Sequence, residues 1–150
     1  MKIYVASSWR NEQQQDVVQC LRNAKHEVYD FKNDTGFHWS DIDPDWMKWS
    51  AATFRCGLKH PLAERGFKSD FDAMKWCEAL VLVLPCGRSA HSEAGWCAGA
   101  GKKTIVLLNG SDEPELMYKM FDHICVDMGE VLDALAFNVC HYCGKNIISQ

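Results

Sequence analysis

The sequence predicts an α/β fold of the flavodoxin-like (Rossmann-like) type, a parallel sheet of five strands in the order 2-1-3-4-5 with helices on both faces. Two observations support this prediction. Short apolar runs alternate along the chain with segments of helical periodicity. These runs are continuous rather than alternating with polar residues, as in strands that are buried on both faces. Right-handed crossovers between parallel strands leave few other topologies.

The individual elements follow from the same patterns. Strands are expected at residues 2–6, 27–31, 79–84, 103–108 and 123–128. The main helices are expected at residues 11–24, 69–79, 91–100, 113–121 and 129–137. Ser69 is the predicted cap of the second of these helices.

Residues 32–68 break this regularity and are predicted to form a tryptophan-rich insert in a single domain over residues 1–150. A helix within the insert would have Asp43 as its cap and Pro44 at its first position. The tryptophans could provide a stacking floor for a nucleobase. For any single tryptophan, a small core under a long loop or a dimer contact is the favoured interpretation.

Composition excludes several classes of protein. The net charge of −4 argues against duplex nucleic acid as the main partner, because phosphate binding needs a basic face. No apolar run approaches the ~20 residues that span a bilayer, and the first residues are too polar for a signal peptide. Several of the eight cysteines lie inside predicted elements, as expected for buried thiols in a reducing compartment. We therefore expect a cytoplasmic protein that does not associate with membranes.

Glu93 lies just beyond the third predicted strand, in the stretch GRSAHSEAGW. We expect it in the first turn of the next helix, where the helix dipole and free N–H groups favour an ionised carboxylate. Such a carboxylate can attack an electrophilic carbon or stabilise a cation. Glutamate is also common in first turns without any function, but the small neighbours Ala90, Ala94 and Gly95 would let a ligand approach. His91 could be a second pocket residue or a surface histidine.

Polar and cationic residues also follow the first strand, and in a sheet of this order they should face the Glu93 loop, where ligands bind. Hydroxyl and guanidinium groups at such a place suit a phosphate or another anion. The alternative is that Ser8 caps the helix and Arg10 is solvated. The predicted substrate-binding residues are Ser7, Ser8, Arg10, Gly87, Arg88, Ser89 and Asn109.

Asp72 is the candidate partner of Glu93. A second carboxylate near the first would supply the acid or base that glycoside chemistry requires. Acidic residues on a helix usually form a solvated face. The apolar neighbours Phe71, Ala73 and Met74 indicate that Asp72 need not lie on that face.

Three blocks of sequence, YVASSWR, DAMKWCEALVLVLP and GRSAHSEAGWCAGAGK, carry a resemblance to a known family. In this order they resemble the nucleoside 2-deoxyribosyltransferase-like superfamily. The closest similarity is to its branch of 2′-deoxynucleoside 5′-phosphate N-hydrolases and CMP N-glycosidases. The resemblance covers roughly residues 2–31 and 69–108, and it does not extend to the insert or the C-terminal tail.

The resemblance implies a role for four of the residues named above. Glu93 would attack the anomeric carbon of the sugar, and Asp72 would help to handle the base. Ser8 and Arg10 would contact a 5′-phosphate. The loop departs slightly from the family's G-x-x-x-E-x-G pattern, and Tyr4 is a poor match for the tyrosine that the family often places near its nucleophile.

The function expected from this resemblance is hydrolysis, or transfer, at the N-glycosidic bond of a (deoxy)nucleoside 5′-monophosphate. The partner would be a small nucleotide or nucleoside, no cofactor would be needed, and the chain would form a homo-oligomer. Two alternatives stay open: a TIR-like hydrolase or cyclase of NAD, and a nucleotide-binding sensor without turnover.

The tail CHYCGK, residues 140–145, resembles one half of a zinc knuckle. Tetrahedral zinc needs four ligands, and Cys140 and Cys143 supply only two. Cys56 and His60 could complete the set if the fold brings them to the tail. Free or buried cysteines without metal are the favoured interpretation.

Overall fold

A computed structural model describes residues 1–32, 36–110 and 113–137 of the chain. The strands are β1 (Lys2–Ala6), β2 (Glu27–Asp30), β3 (Ala79–Val83), β4 (Lys103–Leu107) and β5 (His123–Cys125). The helices are α1 (Gln13–Asn23), α2 (Ala51–Gly57), α3 (Pro61–Trp76), α4 (Arg88–Gly99) and α5 (Met128–Ala136). Within the described ranges, no helix is long and apolar enough to cross a membrane.

The five strands form one parallel sheet in the order β2-β1-β3-β4-β5, which confirms the predicted fold class. Every residue of β3 is buried, because this strand lies at the centre of the sheet and is covered on both faces. It pairs with β1 so that Ala6 lies opposite Leu82. The chain therefore leaves β1 and β3 at the same edge of the sheet.

Helices cover both faces of this sheet. One face of the sheet forms a core with α1 and α5, to which α1 contributes Val17 and Leu21 and α5 contributes Val131 and Leu135. The alternate strand residues point to the opposite face. Helix α4 packs against β1, β3 and β4, and its buried positions recur at helical spacing. These positions are Ala90, Ala94 and Cys97.

The described part of the chain divides into two compact units, one formed by Met1–Asp30 with the described residues from Trp76 onward, the other by the described residues of Phe31–Lys75. The second unit contains an aromatic cluster, in which Phe37, Trp39 and Trp49 are half-buried and Phe54 is exposed. The Trp39 ring lies 4.9 Å from that of Phe37, 5.7 Å from that of Trp49 and 5.8 Å from that of Phe54, all edge to face. Trp39 and Trp49 thus pack into a small, half-buried aromatic cluster, which is closer to the small core favoured from the sequence than to an open stacking floor.

The predicted helix start at Asp43 and Pro44 is wrong. Asp43 instead accepts hydrogen bonds from the Trp49 indole at 2.6 Å and from the backbone N–H of Asp45 at 2.9 Å. Helix α2 begins later, where the Ser50 hydroxyl caps it by accepting from the N–H of Thr53. The tryptophan indole competes for the carboxylate that would otherwise cap a helix.

Two further helix predictions need correction. Ser69 caps nothing, because α3 already begins at Pro61, a residue that suits the first helical position. Residues 113–121 form only a short 3₁₀ turn, Leu116–Met120, rather than an α-helix.

Candidate active site

Two loops meet where β1 and β3 end, and a pair of polar side chains ties them together. The Ser7 hydroxyl donates to the carbonyl of Val83 at 2.8 Å. The Asn11 amide donates to Ser7 Oγ at 3.0 Å and to the carbonyl of Leu84 at 3.0 Å. Because the Ser7 proton is committed to Val83, Ser7 has no proton to offer an anionic substrate in this conformation.

The Ser8–Arg10 turn presents a cation at this edge of the sheet. Ser8 Oγ accepts from the Arg10 backbone N–H at 3.2 Å, and the Ser8 carbonyl accepts from the N–H of Asn11 at 3.0 Å. Ser8 therefore shapes this turn rather than capping α1, which begins only at Gln13. The Arg10 side chain is exposed and makes no ion pair with any residue that the structure describes. Arg10 can thus neutralise a bound anion.

The N-terminus of α4 follows on the β3 side. Gly87 is the N-cap residue and provides no side-chain cap, and no atom lies within 4 Å of where a Cβ would be. Arg88 and Ser89 form the first turn with exposed side chains. This end of the helix combines backbone N–H groups, a guanidinium and a hydroxyl, which is a suitable set of donors for an anion.

His91 fixes the entry to α4. Its Nδ1 lies 2.9 Å from the Gly87 carbonyl, and its Nε2 lies 2.9 Å from the Tyr118 hydroxyl. A carbonyl can only accept, so Nδ1 carries the proton and Nε2 accepts from Tyr118 in the neutral ring. His91, which was considered as a pocket residue, therefore holds the backbone at Gly87.

Glu93 lies in the second turn of α4, not the first, because the helix begins at Arg88 rather than at residue 91. Its side chain is half-buried and lies beside the buried residues of α4 that face the sheet, Ala90, Ala94 and Cys97. The hydrogen bond with Cys77 and burial raise the pKa of the Cys97 thiol, and the charge of Glu93 adds to this rise. Glu93 thus lies within electrostatic reach of a buried neutral thiol.

Asp72 belongs to the second compact unit. It lies on the solvated face of α3, which its apolar neighbours did not indicate. Its side chain is 48% exposed and pairs with Lys68 and Lys75, one turn away on either side along α3. The hydrogen bond from Lys68, followed by that from Lys75, lowers the pKa of Asp72. In this arrangement Asp72 stays ionised at neutral pH, so it can accept a hydrogen bond but has no proton to give.

Asn109 lines a separate cleft of about 600 Å³ beside the carboxyl ends of β4 and β5. The cleft lies between α1 and the segments that follow these two strands, and its wall includes Asp16, Val17, Asp127 and Met128. Asn109 is the one predicted substrate-binding residue among its described lining residues. The structure thus ties the Ser7–Arg10 turn to the start of the segment that leads to Arg88, and it places Asn109 at this neighbouring cleft.

The zinc hypothesis concerns residues that the structure describes only in part. Cys140 and Cys143 lie outside the described residues. Cys56 is exposed, and His60 Nδ1 accepts a hydrogen bond from the N–H of Leu62 at 3.2 Å. In the described part of the chain, no three metal-binding side chains cluster to hold an ion.

Two solved structures share this architecture. A 2-deoxyribosyltransferase from Bacillus psychrosaccharolyticus aligns with a TM-score of 0.61 at 20% sequence identity, over 87% of this chain and 90% of that one. A CMP N-glycosidase from Clostridium botulinum aligns with a TM-score of 0.52 at 19% identity, over 91% of this chain and 100% of that one. This similarity shows a common fold, the one that the sequence resemblance implied. No protein-family model and no curated protein matches the sequence.

Proposed function

We propose that this chain is an enzyme that hydrolyses, or transfers across, the N-glycosidic bond of a (deoxy)nucleoside 5′-monophosphate, with Glu93 as the nucleophile. The observation that carries the proposal is the position of Glu93, half-buried on the helix that follows the central strand β3. A shared fold with a 2-deoxyribosyltransferase and a CMP N-glycosidase supports it.

The proposed reaction begins when a carboxylate oxygen of Glu93 attacks the anomeric carbon of the sugar. The carbon–nitrogen bond breaks with its electron pair leaving on the base, which takes up a proton from solvent. The transition state resembles an oxocarbenium ion, which the negative charge of Glu93 stabilises. Water then attacks the anomeric carbon of the glycosyl ester, gives its proton to solvent, and releases the sugar phosphate and the carboxylate. A second base as acceptor would instead make the reaction a transfer.

The proposed phosphate site lies at the edge of the sheet where β1 and β3 end. Arg10 brings a full positive charge, and the first turn of α4 adds backbone donors together with Arg88 and Ser89. A pure binding protein for an anion gains little from a carboxylate on the same helix, and this favours catalysis over a sensor. A role for Asp72 in orienting the departing base also belongs to the proposal, since its ionised carboxylate can accept a hydrogen bond.

The proposal is tested by chromatography of reactions with nucleosides, their 5′-monophosphates and NAD. We expect free base from at least one monophosphate, and a loss of roughly 10³-fold or more in kcat for Glu93→Gln. Glu27→Gln is the matched control, because Glu27 is exposed at the opposite, amino-terminal edge of the sheet and should leave the rate unchanged. Nicotinamide release from NAD alone would replace this proposal by the NAD-cleaving alternative, and the absence of product from every substrate would reject both.

Arg10→Gln separates phosphate recognition from chemistry. A charge-assisted hydrogen bond contributes about 1.5–3 kcal/mol, so the variant should raise KM for a monophosphate by roughly 10- to 100-fold. It should leave the KM of the corresponding nucleoside unchanged. Equal effects on both substrates would mean that Arg10 does not contact the phosphate.

The chain is also proposed to form a homo-oligomer. Analytical sedimentation of the same preparations measures its oligomeric state.

A further inference from the structure

The Asn11 side chain is a buried connector between the two loops of the candidate site. It is 5% exposed, and its Nδ2 lies 3.0 Å from Ser7 Oγ, 3.0 Å from the Leu84 carbonyl and 3.3 Å from the carbonyls of Val83 and Pro85. On its other side, Oδ1 accepts from the N–H of Gln13 at 3.0 Å. The bonds to the three carbonyls span more than 70 residues of sequence and close the end of β3 onto the segment before α1.

Only a primary amide suits these surroundings. Carbonyls can only accept, and Ser7 has already given its proton to Val83, so everything that faces Nδ2 requires a donor. Gln13 presents an N–H to the other end and requires an acceptor. A flipped amide would therefore face like groups on both sides, and a carboxylate at residue 11 would face a row of carbonyl oxygens.

The two segments that Asn11 joins are the two that carry the proposed phosphate donors. Asn11 ends the Ser8–Arg10 turn, because its own N–H donates to the Ser8 carbonyl. The carbonyls that it binds end at Pro85, and the chain then passes through Cys86 and Gly87 to Arg88. With its polar atoms engaged and its surface buried, Asn11 has no means of touching a substrate itself.

We infer that Asn11 is a positioning residue, which holds the Ser8–Arg10 turn against the segment leading into α4 so that both loops bind one phosphate. The inference rests on the proposed function for the identity of the substrate. It predicts a specific defect: removal of the amide weakens recognition of the phosphate and leaves the chemical step at Glu93 largely intact.

Steady-state kinetics with a monophosphate and its parent nucleoside test this inference. Asn11→Ala should raise KM for the monophosphate by roughly 10-fold or more, with kcat and the KM of the nucleoside changed by less than about threefold. The control is Gln14→Ala, since Gln14 is also a buried amide at the start of α1 and its Nε2 donates to Asp30 at 2.8 Å. That variant also removes a buried amide, together with its part-buried hydrogen bond, and should leave the KM ratio unchanged. Equal changes in both variants, or a defect in kcat alone, would overturn the inference.

A second measurement needs no turnover. Inorganic phosphate should raise the melting temperature of the native protein and of Gln14→Ala in a phosphate-free buffer, and should raise that of Asn11→Ala much less. Phosphate binding without turnover would reject the proposed function alone, whereas a native protein that gains no stability from phosphate has no anion site to position and overturns the inference. If Asn11→Ala does not fold, Ser7→Ala removes one end of the same connection and should shift the KM ratio in the same direction by a smaller factor.

Discussion

Gly66 in α3 and Gly95 in α4 give opposite predictions for the same substitution, glycine to alanine. A Cβ on Gly66 would lie 2.7 Å from the Cβ of Phe37 and 3.0 Å from its Cγ, whereas a Cβ on Gly95 would have no neighbour within 4 Å. Both glycines lie inside helices, so alanine gains about 0.8–1 kcal/mol of helix propensity at either position. Only at Gly66 must the neighbour move.

The cost of overpacking at Gly66 decides whether Gly66→Ala gains or loses stability. The atoms that a new methyl group meets are the base of the Phe37 side chain, which cannot swing away without moving the backbone. Overpacking of this kind costs about 1–3 kcal/mol, so Gly66→Ala should lose about 1 kcal/mol of stability after the propensity gain. Gly95→Ala should gain about 0.8–1 kcal/mol, which corresponds to an increase of about 2–4 °C in melting temperature.

Urea denaturation followed by circular dichroism compares the two variants with the native protein. We expect the midpoint to fall for Gly66→Ala and to rise for Gly95→Ala, with similar slopes. If both variants are stabilised equally, Phe37 does not pack on Gly66 and the description of the second unit's aromatic cluster is wrong. Destabilisation of Gly95→Ala would show that something unseen occupies the space beside α4.

Three further predictions concern the two units separately. The hydrogen bond from Trp49, followed by that from Asp45, lowers the pKa of Asp43, so its contribution to stability is present above the ordinary carboxyl pKa and is lost as pH falls through the lowered value. Asp43→Asn should lack this acid-side component in tryptophan fluorescence melts, and an unchanged pH profile would contradict the bond. Lys103→Met removes donors to the carbonyls of Ala134 and Phe137, and should cost about 1 kcal/mol, seen as faster amide exchange at the end of α5 rather than throughout the sheet. Leu82→Ala empties a fully buried position in β3 and should cost about 2–5 kcal/mol in urea denaturation, and a loss under 1 kcal/mol would contradict its burial.

The sheet was predictable because its signal is local. Runs such as ALVLVL are apolar at every position, and a run of this kind has few alternatives to a central parallel strand. The strand order then follows from general rules of handedness and connection. The first half of α3 was missed because Gly66 and the exposed Phe67 interrupt its helical pattern, whereas in the structure Gly66 leaves room for the side chain of Phe37.

The site was predictable only in part, because its connections are long-range. The position of Glu93 after β3 could be read from the sequence, and its turn in the helix could not, since Gly87 caps α4 earlier than the pattern indicated. Asn11 was missed altogether. An asparagine at the start of a predicted helix is typical of an ordinary helix end, and nothing nearby reveals that its partners lie at Val83 to Pro85.

The lengths of the strands have a consequence for contacts between molecules. The three central strands have five residues each, whereas the edge strands β2 and β5 have four and three. A short edge exposes few unpaired N–H and carbonyl groups, so it gives an incoming chain little backbone to pair with. Such a sheet resists fibril-like growth, and any oligomer of this chain is expected to form through side-chain surfaces rather than through a sheet continued from one molecule to the next.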